Sequence, residues 1–316
     1  MSANLPGIRF MTGVISPITI STILGHNGSG AYPMMLSSDY RQIVKEAKKR
    51  KLTILAKSST YNEKVGNYKT WNPFSWRCIR IIKDPSLGLV NAYGLTNKGV
   101  KYHAKKIAKA RQLGVKVIPN FYPEFSKGTE IAIKETLDAI SIYRLELGDE
   151  FWALEISYSC PNDRSNACLS SPVKITENME QAIRCTKEIR AHDRKLVLII
   201  KISYEHPIEF IQELELIGVD AAHSINSIRW EIVFPNIPSP LKKYGGGGVS
   251  GGPAFLFAFD YNEKLRKAVK LPLIMGCGVM SPFAAQAYAD IGADSVSICS
   301  VIRINPSNAL EIIRYL

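Results

Sequence analysis

Three kinds of residue in this chain could do chemistry, and each stands where an apolar run breaks. In LEISYSCPN (154–162) alternating apolar residues give way to Ser159, Cys160, Pro161 and Asn162, so a strand ends by presenting a thiol. A thiol titrates near about 8.5, and surroundings that lower this value somewhat make it a general base; a packed loop cysteine is the other reading. In LVLIIKIS (196–203), Lys201 closes an otherwise apolar strand. An ammonium there is costly to desolvate unless it meets an anion or snorkels out to water. A bound electron-rich ring that becomes anionic on reduction accounts for it better. The glycines gather late, in YGGGGVSGGPA (244–254) and GCG (276–278). Residues of this type let backbone N–H groups come close to an oxyanion, more so where a helix begins.

The elements that must position these groups read as alternating strands and helices. Short apolar runs with strand character lie at 16–21, 52–58, 115–121, 151–157, 196–203, 220–226, 272–278 and 294–300. Each is nearly continuous in apolar residues, as parallel strands covered by helices require. Helical spacing marks about 37–51, 98–113, 129–148, 174–194, 207–217, 253–269, 281–291 and 306–316. Eight βα units of this length predict an α/β fold, a (β/α)8 TIM barrel, rather than an open doubly wound sheet. Lys57–Ser58, Ser159–Cys160, Lys201, Asn226–Ser227, Gly276–Gly278 and Cys299–Ser300 all fall at C-terminal ends of predicted strands. A barrel gathers those ends on one face, where such folds place their chemistry, often with a phosphate site at the last two strands.

Composition narrows the class further. The chain has 316 residues, 46% of them apolar, and no low-complexity linker divides it, so residues 1–316 are expected to form a single domain. No apolar run is long enough to span a membrane and the N-terminus lacks a signal peptide's pattern, so a cytoplasmic protein is expected. Six cysteines (Cys78, Cys160, Cys168, Cys185, Cys277 and Cys299) show no CxxC pair, which argues for reduced thiols and against a metal site. The net charge of +12 resides in stretches such as KEAKKRK and KKIAKARQ. Their helical spacing makes them a solvated outer face rather than a nucleic-acid surface.

Five motifs in order carry a resemblance that covers nearly the whole chain. They are AKSSTYNEKVGN (56–67), NAYGLTNKG (91–99), SCPN (159–162), INS (225–227) and GGVSGGPA (247–254). Together they resemble the FMN-dependent dihydroorotate dehydrogenase family, with the dihydropyrimidine dehydrogenases as close relatives. The resemblance implies an FMN barrel in which Ser21, Lys57, Ser58, Ser157, Ser227 and Cys277 contact the flavin and Lys201 lies by its N1/O2 edge. It implies that Ser250, Gly251, Gly276, Gly278, Cys299 and Ser300 hold the ribityl phosphate. Asn91, Gly94, Leu95, Asn97, Asn162, Asn226 and Ser227 would surround the substrate ring. Cys160, with Lys57 beside the reacting centre, would be the general base that removes a proton from C5 of dihydroorotate while a hydride passes from C6 to flavin N5.

A cysteine base resembles the family's soluble class, and NAYGLTNKGV with NSIRW resembles the subtype paired with an electron-transfer subunit carrying FAD and an iron–sulfur cluster, with a homodimer expected. Three positions depart from the pattern. Ser157 stands where the family has asparagine, and a hydroxyl cannot bridge flavin and substrate as a carboxamide can. Gly276–Cys277–Gly278–Val279 replaces a G-x-G-G loop, and Tyr93 replaces a usual aliphatic or methionine. Ser157 keeps one alternative alive, a flavin barrel acting on another dihydropyrimidine or on a pyrimidine in RNA, while Cys160 and Lys201 argue against the other, a flavin-binding subunit without catalysis.

Overall fold

The computed structural model describes residues 5–23, 25, 36–69, 72–159 and 171–315. A hairpin of β1 (Ile8–Phe10) and β2 (Gly13–Ile15) precedes β3 (Ile18–Ser21), α1 (Ser38–Lys49) and β4 (Thr53–Leu55). Then come β5 (Ile79–Ile82), β6 (Gly88–Asn91), α2 (Val100–Gln112), β7 (Val117–Ile118), β8 (Asn120–Phe121), α3 (Thr129–Leu147) and β9 (Ala153–Ser157). The chain continues through α4 (Pro172–His192), β10 (Val197–Lys201), α5 (Ile208–Ile217), β11 (Ala221–Ser224), β12 (Ile228–Arg229), α6 (Trp230–Val233) and β13 (Gly248–Gly251). It ends with α7 (Phe255–Ala268), β14 (Leu273–Met275), α8 (Pro282–Asp290), β15 (Ser295–Ile298), α9 (Ser300–Ile304) and α10 (Pro306–Tyr315).

The main sheet is parallel and runs β7-β4-β3-β15-β14-β11-β10-β9-β8. Its two ends are halves of one strand. Pro119, which has no N–H to give a ladder, separates β7, paired with β4, from β8, paired with β9. The sheet therefore closes on itself, and the eight predicted strands form a (β/α)8 barrel. Helix starts follow local chemistry: Ser171 caps α4 by accepting from the Lys174 N–H at 3.4 Å, and Ser281 caps α8 through the Ala284 N–H at 3.2 Å. Each is followed by proline at the first helical position, which is why α4 begins at Pro172, two residues before the start that periodicity predicts.

Strand alternation sorts the side chains into two cores. One face of the strands carries Leu154, Ile156, Leu198, Ile200, Ala222 and Val296 into a core shared with the helices. The other face points into the barrel, where Leu55, Ile118, Ala153, Val197, Ile199, Ala221 and Ile274 cluster with Ile8 and Ile15 of the hairpin, which seals the lower end. Two residues further along the same strands, the interior turns polar. Asn120, Glu155, Lys201 and His223 are all buried at that level.

A second sheet, antiparallel and of order β12-β13-β6-β5, has no counterpart among the predicted elements. It places part of the glycine stretch 244–254 in a strand and not in a loop. Gly248–Gly251 is a strand paired with Gly88–Asn91. Glycine is required at 251 because a Cβ there would lie 2.8 Å from the Gly88 Cα, and the backbone has φ +87°.

Candidate active site

A cavity of about 510 Å³ opens where the barrel strands end, walled by the antiparallel sheet. Its floor is the polar level of the barrel. Lys201, only 5% exposed, donates from Nζ to Ser21 Oγ at 3.2 Å. Strand register sets Lys201 directly between Ser157 on β9 and His223 on β11. Beneath it Glu155, fully buried, pairs through Oε1 with His223 Nδ1 at 2.5 Å and accepts from Asn120 Nδ2 through Oε2. Burial alone would raise the Glu155 carboxyl, but His223, Lys201 and the Asn120 amide outweigh it and hold the group below the ordinary carboxylate value. Burial, and then the Lys201 cation, push the His223 imidazole down against the pull of Glu155. The pair is thus a carboxylate beside a neutral imidazole, with Lys201 supplying the positive charge.

The walls are mixed. Ile79, Leu89, Ile225 and Val279 give apolar surface, while Lys57 and Arg303 add two further cations; no carboxylate lines the cavity among the described residues. Lys57 donates to the Thr96 carbonyl at 2.5 Å and sits 4.5 Å from the Tyr93 ring centroid, and Tyr93 stacks on Tyr68 with centroids 4.7 Å apart. At the far end Ser300 Oγ donates to Ser250 Oγ at 2.7 Å, joining the start of α9 to β13. Burial pushes the Cys277 thiol up to about 12 and raises Cys299 too, so both are neutral thiols and neither is an activated nucleophile.

Most of the residues singled out from sequence converge here. Ser21, Lys57, Ser58, Asn91, Gly94, Leu95, Lys201, Asn226, Ser227, Ser250, Cys277, Gly278, Cys299 and Ser300 line the cavity. Asn226 Nδ2 also donates to the Ser159 carbonyl at 2.5 Å, tying β11 to the end of the described β9 loop. Four do not line it: Ser157, Asn97, Gly251 and Gly276. Asn97 is buried, and its amide is used by its own loop: Oδ1 accepts from the Thr60 and Gly99 N–H groups at 3.2 and 2.8 Å, and Nδ2 donates to the Leu95 carbonyl at 2.7 Å. A Cβ on Gly276 would lie 3.1 Å from that of Ser297, so this glycine serves strand packing. Cys160 and Asn162 lie outside the described residues. Sequence reasoning missed Glu155, His223 and Arg303. The signal for the first pair was present as two polar residues inside buried strands, 68 positions apart.

A closed barrel whose cavity at the C-terminal face is lined by cations and, among the described residues, by no carboxylate is the build of an α/β-barrel enzyme that holds an anionic ligand. The model of the family described as dihydroorotate dehydrogenase matches residues 33–316, and the chain belongs to that family of flavin-dependent oxidoreductases. A "Dihydroorotate dehydrogenase B (NAD(+)), catalytic subunit" from Trichlorobacter lovleyi is 28% identical over 236 residues, 74% of this chain and 72% of that protein. The protein of the same description from Brachyspira hyodysenteriae is 27% identical over 263 residues, 81% and 78% of the two chains. Among solved structures, a dihydroorotate dehydrogenase from Eimeria tenella in complex with ferulenol superposes with a TM-score of 0.65 at 14% identity, covering 98% of this chain and 83% of that one, which speaks for the fold.

Proposed function

We propose that the chain oxidises dihydroorotate to orotate, a step of pyrimidine biosynthesis, with FMN as its flavin. The observation that carries this reading is Lys201: a buried ammonium on the floor of a cavity lined by no described carboxylate, facing the space where a ring that gains negative charge would lie. FMN, when bound, supplies the acceptor for the hydride that leaves C6 of the substrate. Lys201, held by Ser21, stabilises charge at the ring's N1/O2 edge, and Ser250 and Ser300 offer hydroxyls to a single phosphate. Lys57, fixed against Tyr93 and Thr96, places a cation beside Asn91, Gly94 and Leu95 in the substrate lobe. Cys160 takes the C5 proton in this reading, with Asn162 and Asn226 orienting the ring. An electron-transfer partner subunit of the FAD and iron–sulfur type belongs to this reading, supported by the words "catalytic subunit" in the relatives' names, and so does a homodimer of this chain.

The test is to mix the purified protein with dihydroorotate without oxygen and follow the flavin's visible band. Bleaching is expected, and Cys160→Ala should slow it about 10²-fold or more while FMN stays bound. A colourless protein that takes up no FMN overturns the reading. A second reading, a different dihydropyrimidine, is favoured by Ser157, whose buried hydroxyl turns to the Ser159 carbonyl and cannot bridge flavin and substrate as a carboxamide would; bleaching by dihydrouracil and not by dihydroorotate would select it.

A further inference from the structure

One side chain on the cavity floor is left without a task by the reaction as proposed. Lys201 has a neighbour on each flank in strand register. On one side Ser157 turns its hydroxyl toward the Ser159 carbonyl at 3.4 Å and does not line the cavity. On the other side His223 does line it. Its ring is 2% exposed and held at Nδ1 by Glu155 at 2.5 Å, and Asn120 anchors that carboxylate from the opposite oxygen. A carboxylate can only accept, so Nδ1 carries the ring proton and Nε2 is left as a lone-pair acceptor. No described residue bonds that nitrogen.

We infer that His223 is a flavin-binding residue whose Nε2 accepts the hydrogen bond of the flavin's pyrimidine N3–H, next to the edge that Lys201 approaches. The inference rests on the FMN reading above and extends it to a residue of this chain. An oxidised flavin's pyrimidine ring presents acceptors at N1 and at its two carbonyls, and one donor, the N–H between the carbonyls. An ammonium can only donate, so Lys201 can satisfy the first edge and never the second. An acceptor of fixed tautomer one strand away, at a strand spacing of about 4.8 Å, supplies what the lysine lacks. Ser157, on the opposite flank, is too short and is engaged elsewhere.

The experiment titrates the full chain, stripped of flavin, with FMN and with FMN methylated at N3, following flavin fluorescence, for the wild type and His223→Asn. Asparagine keeps an amide N–H where Nδ1 stood, so Glu155 retains its donor and only the cavity-facing nitrogen is removed. The wild type should prefer FMN over the methylated analogue by about ten- to a hundredfold, the worth of one buried hydrogen bond. His223→Asn should lose most of that preference by binding FMN correspondingly more weakly, with its affinity for the analogue unchanged, which also reports an intact fold. His223→Gln, which returns an amide to the ε position, should recover part of the loss. Equal FMN affinity in wild type and His223→Asn overturns the inference, as does weakening of both flavins by one factor, the mark of a purely structural residue. A wild-type chain that binds neither flavin overturns the FMN assignment itself, a result distinct from either of those.

Discussion

The barrel interior is two regions built by the same strands. Its lower level, Ala153, Val197, Ile199 and Ala221, is apolar and sealed by Ile8 and Ile15. The level two residues further on, Glu155, Lys201 and His223, is charged or polar and equally buried. One pleat separates a layer that holds the barrel together from a layer that can serve a ligand. The lower layer stabilises by removing apolar surface from water, whereas buried charges are kept at a cost and persist where they have partners. The position of a residue along its strand, more than its depth from solvent, therefore decides which role it has.

That contrast can be broken experimentally. The largest effect is expected for Lys201→Met, which gives the upper level a side chain of the lower kind. Flavin reduction in stopped flow should slow by about 10²–10³-fold, the usual loss for one removed charge-stabilising donor, with the flavin still bound. A variant that reduces at the wild-type rate would mean the two levels do not differ in function. Next, Ile199→Ala, two residues earlier on the same strand, should cost about 2–5 kcal/mol in urea unfolding and leave the reduction rate of the folded protein within about twofold. A comparable loss of rate would show that the lower level also tunes the site.

The smallest effect is graded. The apolar level holds nothing that titrates, so any acid lability of the barrel interior comes from the polar level and its neighbours. His206, just beyond Lys201, is buried with its pKa pushed down to about 3 from 6.5, because burial disfavours the charged form. Its Nδ1 accepts from the Ser203 N–H at 3.2 Å and its Nε2 meets Asn178 Oδ1 at 3.2 Å, a neutral tautomer satisfied on both sides. The unfolded chain binds the proton first, so stability is full above pH 6.5 and falls as pH drops from there toward 3, at up to about 1.4 kcal/mol per unit. The lowered His223 and Glu155 act in the same direction, Glu155 at more acid pH. Urea midpoints at pH 7.5, 6 and 5 should show the decline, and His206→Gln should flatten it. An unchanged slope would move the acid sensitivity elsewhere.

The barrel was legible because parallel strands covered on their outer face leave near-continuous apolar runs, and because Lys201 is conspicuous at the end of one. The antiparallel sheet was not. Its strands are short, rich in glycine, and partly exposed, as at Ile81, so they carry no run to read. Asn97 shows a different limit: a motif fixes a residue type, but the carboxamide's direction depends on Thr60 and Gly99, which bring their N–H groups to it only in the folded loop. Glu155 and His223 were hidden because each looks like an isolated polar residue until β9 and β11 are laid on either side of β10.

The β1–β2 hairpin gives the barrel a bottom. Ile8 and Ile15 close the interior from below, and Trp152 lies so close to the hairpin that a Cβ on Gly13 would come within 2.4 Å of its ring. Among the described residues the barrel is thereby a cup, closed below and open where the strands end, and not a pipe. With the lower end closed among the described residues, solvent, ligands and protons bound for Glu155, His223 and Lys201 reach them from the open end that the flavin and substrate would occupy, so a filled site is its own stopper. The rate at which a proton or a buffer molecule reaches that polar level then becomes a direct gauge of whether the cup is full.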